Sequence, residues 1–228
     1  MSVVLIHGGA CTASQWSRLT PLLNRPVLAV NLPGRRGKEG EHANANFADW
    51  ARSVLADMDE AGVGRADFIG HSLGGGTLLA LAHQAPERIR RLVFVATVLP
   101  EEGGMIVDRM PPDAQVLIRG LRAKNEVSLP DNPPATNAGG KDMVDYVTRE
   151  AVSPFFDPIS FAGVRAGIPC TYVKLMRDKS IPTADQHVMA DTLAKHTGCD
   201  FVEVDTGHIG MLTHPELFAE AMNHILAR

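Results

Sequence analysis

Gly70-His71-Ser72-Leu73-Gly74 stands between the apolar run Ala66-Asp67-Phe68-Ile69 and the helix-compatible stretch Thr77-Leu78-Leu79-Ala80-Leu81-Ala82. The pattern reads as a nucleophile elbow, in which a strand ends, the chain turns sharply through Ser72 and a helix begins. Such a turn strains the serine backbone. A side chain two residues before or after would crowd the bend, which accounts for Gly70 and Gly74. The hydroxyl is lifted above the sheet, and the helix N-terminus beneath it offers unpaired N–H groups to a developing negative charge. Gly-x-Ser-x-Gly alone recurs in glycine-rich chains; the strand before it and the helix after it give it meaning.

Apolar runs at 3–6, 27–30, 66–69, 92–97, 170–175 and 201–204 have the length and composition of buried strands. Amphipathic segments lie between them. In the clearest, Phe47, Trp50, Ala51, Val54, Leu55 and Met58 fall three and four residues apart, so one apolar stripe faces a sheet. Asn46 is placed to cap that helix and Gly62 to end it. Repeated strand–helix–strand units predict an α/β fold with a mostly parallel sheet of about six strands and helices on both faces. Reactive groups in such sheets gather beyond the carboxyl ends of strands.

One stretch breaks the rhythm. From Pro100 to Gly167 roughly 65 residues pass without a clear strand, against about 4–6 for an ordinary connection. Its middle, 129–140, is poor in core formers, while 114–124 and 141–151 have the pattern of short helices. The expected organisation is a core of residues 1–100 and 168–228 with a lid insertion, 101–167, over the site. A plain surface excursion is the alternative.

The 228 residues suffice for one full hydrophobic core. A net charge of -4 gives no case for nucleic acid or an anionic membrane as partner. No apolar run approaches a membrane span, and Met1-Ser2-Val3-Val4-Leu5-Ile6-His7-Gly8-Gly9 reads as a first strand rather than a signal peptide. Cys11, Cys170 and Cys199 are odd in number and unclustered, which argues against a disulfide framework or zinc site and for a reducing, cytoplasmic compartment.

A serine hydroxyl needs a base to take its proton, and that base, usually histidine, needs an acid group to fix its tautomer. Position selects among nine histidines. His208, in Asp205-Thr206-Gly207-His208-Ile209-Gly210, follows the last strand, on the same sheet edge as the elbow. His83, His187, His196, His214 and His224 fall in or beside helical patterns, His42 lies in a polar loop, and His7 and His71 read as scaffold of the glycine turns. Asp178 directly follows the strand at 170–175 and is the expected acid; Asp205 and Asp157 are its rivals. Negative charge on a carbonyl oxygen requires an oxyanion hole, to which Leu73 offers one backbone N–H. The second donor is expected from the loop His7-Gly8-Gly9-Ala10, with Gly9 preferred and Ala10 the fallback.

These segments resemble the α/β-hydrolases, in the branch of plant methyl esterases, hydroxynitrile lyases and related bacterial esterases. The resemblance rests on Val4-Leu5-Ile6-His7-Gly8-Gly9-Ala10-Cys11, Gly70-His71-Ser72-Leu73-Gly74-Gly75 and Val93-Phe94-Val95-Ala96-Thr97-Val98-Leu99-Pro100. Asp178-Lys179-Ser180-Ile181-Pro182 and Gly207-His208-Ile209-Gly210-Met211-Leu212 extend it over nearly the whole chain. It implies Ser72 as nucleophile, His208 as base, Asp178 as orienter and Gly9 and Leu73 as oxyanion donors. The branch's lyases carry a threonine and a lysine where Gly8 and Ile209 stand here, and neither of these donates a side-chain hydrogen bond.

The expected activity is hydrolysis of a small or medium apolar carboxylic ester through an acyl-enzyme, with lactones and amides also within reach. A lyase on the same scaffold and a non-catalytic ligand receptor are the alternatives. Candidate lining residues are Trp16, Met105, Met110, Met143, Tyr146, Phe155, Phe156 and Met211, each of which would serve equally in packing. No metal or organic cofactor is implied.

Overall fold

Side chains alternate along each expected strand between two apolar layers, and that alternation builds the molecule. The computed structural model describes residues 1–38, 44–124, 150–164 and 167–228. Its strands are β1 (Ser2–Ile6), β2 (Val27–Val30), β3 (Ala66–His71), β4 (Ile89–Val95), β5 (Cys170–Leu175) and β6 (Cys199–Val204). They form one sheet in the order β2-β1-β3-β4-β5-β6, with every neighbouring pair parallel. Val4, Ile6, Phe68, Leu92, Phe94 and Tyr172 point into one layer, and Val3, Leu5, Ile69, Val93, Val95 and Val173 into the other.

The first layer holds α1 (Phe47–Glu60), α2 (Gly74–Gln84), α3 (Pro112–Ala123) and α4 (Thr183–Ala194); the second holds α5 (Gly210–Thr213) and α6 (Pro215–Ala227). Helix α1 starts in a capping box: the Asn46 side chain accepts from the Asp49 N–H, and Asp49 accepts from the Asn46 N–H, each at 2.9 Å. Gly62, at φ 67°, ends it. Three strands begin earlier than the apolar runs suggest, β1 by one residue, β4 by three and β6 by two. Arg90 and Arg91 interrupt the run at β4, yet Arg90 lies in the strand and pairs with the buried Asp67 of β3. Strand β6 is an edge, so Asp200 fits there facing solvent.

Gly103 and Gly104 exchange backbone hydrogen bonds with Ile159 at 2.8 and 2.9 Å, tying together the two ends of the excursion between β4 and β5. Ile118 and Leu121 of α3 and Phe155 pack into the first apolar layer. Most of the second expected helix, with Met143 and Tyr146, lies outside the described residues, as does His42; Glu150 and Ala151 at its end are not helical. Among the described residues no helix is long and apolar enough to cross a membrane.

The strand order carries the functional consequence. From β1 the chain moves to β2 on one side, whereas β3 and all later strands add on the other. Loops leaving β1 and β3 therefore diverge, and the crevice between them is where ligands of open α/β sheets bind.

Candidate active site

Ser72 sits at the end of β3 with φ 51°, a left-handed conformation that a non-glycine residue adopts only at some cost. Its N–H donates to the Val95 carbonyl at 3.0 Å, which anchors the bend to β4. The flanking glycines answer to crowding. A Cβ on Gly74 would lie 2.8 Å from the His7 carbonyl oxygen, and one on Gly70 would lie 2.8 Å from Leu78. The elbow is thus wedged against the first loop, and α2 begins directly behind it.

The imidazole of His208 donates from Nδ1 to Asp178 Oδ2 at 2.7 Å. A carboxylate only accepts, so the proton is on Nδ1 and the Nε2 lone pair is free to receive another. Asp178 is itself held. Its Oδ1 accepts from the N–H groups of Ser180 at 2.8 Å and Ile181 at 3.0 Å, and the buried Gln186 side chain braces the loop through Leu175 and Ile181. The rivals are occupied elsewhere. Asp205 is exposed and pairs with Arg177, and Asp157 accepts from the Phe47 N–H at the start of α1. The His208 ring packs 4.4 Å, centroid to centroid, from His71, the residue before the serine. Among the described residues no hydrogen bond joins Ser72 to His208.

The loop after β1 supplies the other side. A Cβ on Gly8 would lie 3.2 Å from the Ser72 Cβ, so only glycine lets this backbone come so close. Gly8 donates its N–H to Gln15 Oε1 at 3.2 Å, and Ala10 donates to Glu150 Oε2 at 2.6 Å. Among the described residues neither Gly9 nor Leu73 donates its N–H to a loop, turn or cap acceptor. The N–H of Ala10, the fallback, is taken by Glu150.

Behind the serine lies a buried polar layer. Because Gln15 Oε1 accepts from Gly8, its amide nitrogen faces His71 Nδ1 at 3.0 Å. His71 is therefore the neutral Nε2–H tautomer, and burial, seconded by His208, holds its pKa well below the usual value. His7 accepts from the Leu32 N–H and donates to the Gly8 carbonyl; burial, seconded by Arg35, lowers its pKa from 6.5 to about 3. Between those values the unfolded chain binds a proton that the folded chain does not. Stability is therefore expected to fall as pH drops from 6.5 towards 3, by about 1.4 kcal/mol for each unit of depression realised. Urea unfolding at pH 7, 5 and 4 checks this, and His7→Gln should flatten the decline. A decline equal in the variant would assign it to other groups.

The expected lining residues divide. Trp16 and Met211 are fully buried in the second apolar layer, Trp16 edge-on to His71 and Met211 against the Gln15 amide. Phe155 is core as well. Met105, Met110 and Phe156 are partly buried against the first layer. Sequence reading did not single out Gln15, Gln186, Arg35 or Glu150. Gln186 follows Asp178 by eight residues within the first turns of α4, a modest signal; Glu150 had none. Among the described residues no group of three or more His, Cys, Asp or Glu side chains is gathered as a metal site.

Comparison with known proteins agrees with this architecture. A family model described as the alpha/beta hydrolase family matches residues 3–221. A pyrethroid hydrolase of Sphingobium wenxiniae is 26% identical over 244 residues, covering 96% of this chain and 85% of that protein. Among solved structures, an extracellular alpha/beta-hydrolase from a Paenibacillus species, described as sharing structural and functional homology with tobacco salicylic acid binding protein 2, superposes with a TM-score of 0.83. It is 22% identical, with 97% of each chain covered. A pyrethroid hydrolase from Sphingobium faniae superposes with a TM-score of 0.77 at 23% identity, over 100% of this chain and 97% of that one. At these identities the solved structures speak for the fold.

Proposed function

The chain belongs to the α/β-hydrolase family, and from that premise we propose that it is a serine hydrolase of small or medium apolar carboxylic esters. The observation that carries the reading is the Asp178–His208 hydrogen bond beside a serine held at positive φ. Ser72 Oγ attacks the ester carbonyl carbon while His208 Nε2 takes its proton. The carbonyl oxygen becomes an oxyanion facing the N–H groups of Gly9 and Leu73, where one such donor is worth roughly 2.7–4 kcal/mol. As the intermediate collapses, the C–O bond to the alcohol breaks and His208 returns the proton to the leaving alkoxide. Water then attacks the acyl-serine, giving its proton to His208; the acid departs and Ser72 recovers the proton. Asp178 keeps the imidazole oriented and stabilises its transient positive charge.

The apolar choice of substrate rests on our assigning the excursion, residues 101–167, as a cap whose apolar side chains include Met105, Met110 and Phe156. The relative named as a pyrethroid hydrolase is in keeping with hydrolysis on this scaffold. Three cysteines standing as free thiols suit a reducing, cytoplasmic setting. Chromogenic esters of graded acyl length test the reading, with a serine-reactive phosphonate as label. Hydrolysis that is blocked by the phosphonate, with the label on Ser72, is the expected result. Release of aldehyde from a cyanohydrin without any ester hydrolysis would favour the lyase, and binding without product the receptor.

A further inference from the structure

We infer that the buried Arg35–Glu150 pair is a positioning device for the oxyanion pocket, fixing the loop after β1 so that the Gly9 N–H, rather than that of Ala10, faces the carbonyl under attack. The inference rests on the hydrolase reading above. Arg35 and Glu150 are 115 residues apart in the chain and almost wholly shielded from solvent. Both carboxylate oxygens lie 2.7 Å from Arg35 Nη2. The guanidinium also donates to the Pro33 carbonyl at 2.8 Å and to that of Cys11 at 3.4 Å, and it lies over the Trp50 ring. Glu150 Oε1 accepts from the Ala151 N–H at 2.8 Å, which leaves Oε2 for Ala10 at 2.6 Å.

Three consecutive N–H groups of the loop then have different fates. That of Gly8 goes to Gln15 and that of Ala10 to Glu150, while the one between them is unheld. Ala10 has φ 52°, a conformation alanine enters only when something compensates, and the charge-assisted hydrogen bond from its N–H to Glu150 does so. A Cβ on Gly9 would lie 3.4 Å from Glu150 Oε2 and 3.3 Å from Leu73 Cδ2, so the carboxylate stands directly beside the pocket. Unpaired, it would repel the very anion the pocket must stabilise. Arg35 cancels that charge, and what remains is the geometric hold. A buried ion pair is weak evidence for stability, since apolar side chains of similar volume often serve as well. Its location at the pocket wall gives it a use.

The test compares Arg35→Met/Glu150→Leu with the wild-type enzyme on a chromogenic short-chain ester. Rates are expressed per serine titrated by a phosphonate, and affinity for phenylboronic acid, which forms a tetrahedral anionic adduct on serine, is measured in parallel. The expected result is a kcat per titrated serine lower by about 10- to 100-fold, with KM changed far less and boronate affinity falling in step with kcat. A kcat per titrated serine within about twofold of wild type overturns the inference, even where fewer serines titrate, because the pair would then serve folding alone. Should the double variant fail to fold, Glu150→Asp keeps Arg35 paired while drawing the carboxylate back from Ala10. A loss of about tenfold is expected there, since a small misplacement costs that much, and an unchanged kcat overturns the inference. Failure of the underlying reading looks different: the wild-type protein would neither hydrolyse the ester nor take up the phosphonate on Ser72, and both proposals would fall together.

Discussion

Ser72→Ala is expected to abolish ester hydrolysis, lowering kcat by about 10⁶-fold, the scale seen when subtilisin loses its nucleophile. That factor corresponds to about 8 kcal/mol of barrier. The variant is a clean one. Serine and alanine both carry a Cβ, so Ser72 at φ 51° can be replaced without new backbone strain. Among the described residues the serine hydroxyl makes no hydrogen bond to His208, so its removal leaves no buried group unpaired there. Thermal stability should therefore stay close to wild type while turnover disappears, and the phosphonate should no longer label the protein. The residual rate would come from Gly9, Leu73 and substrate binding, which act on the attack of water as well as of serine. Hydrolysis that continues at the wild-type rate would mean that another group attacks the ester, and the assignment of the elbow would be lost.

Much of this site is legible in the sequence because its parts have local causes. The elbow needs glycines around a serine, and crowding against Leu78 and the His7 carbonyl shows why. Strand ends follow from apolar runs, and the sheet order then brings 8–10, 72–73, 178 and 208 to one edge. Asp178 was separable from Asp205 because it directly follows β5, although only coordinates give the hydrogen bond to His208. Long-range polar pairing left no such trace. Arg35 and Glu150 meet across 115 residues, and nothing in the composition around either marks the other. Lining residues such as Trp16 and Met211 are illegible for a related reason. An apolar residue beside a catalytic motif has the same appearance in the sequence whether it packs or faces a substrate, and here both side chains are fully buried against His71 and Gln15.

Asp178→Asn should lower kcat by about 10⁴-fold, or about 5 kcal/mol, while leaving the fold intact. The reason lies in how the carboxylate is held. Oδ1 accepts two backbone N–H groups, from Ser180 and Ile181, so an asparagine must keep its oxygen on that side. Turned the other way, its amide would set an NH₂ against two donors. The NH₂ is therefore forced towards His208, onto the place where Oδ2 stood 2.7 Å from Nδ1. Facing a donor, the imidazole must present a bare Nδ1 and carry its proton on Nε2, the atom that has to receive the serine's proton. The base is disabled by tautomer alone. Phosphonate labelling of Ser72 should slow in parallel, since it too requires proton removal, while KM should move little because no substrate contact has been altered. Asp205→Asn, on the exposed rival, provides the control and should stay near wild type. If Asp178→Asn retained activity within about tenfold while Asp205→Asn lost it, the orienting acid would be Asp205, and His208 would have to turn away from its present partner during the reaction.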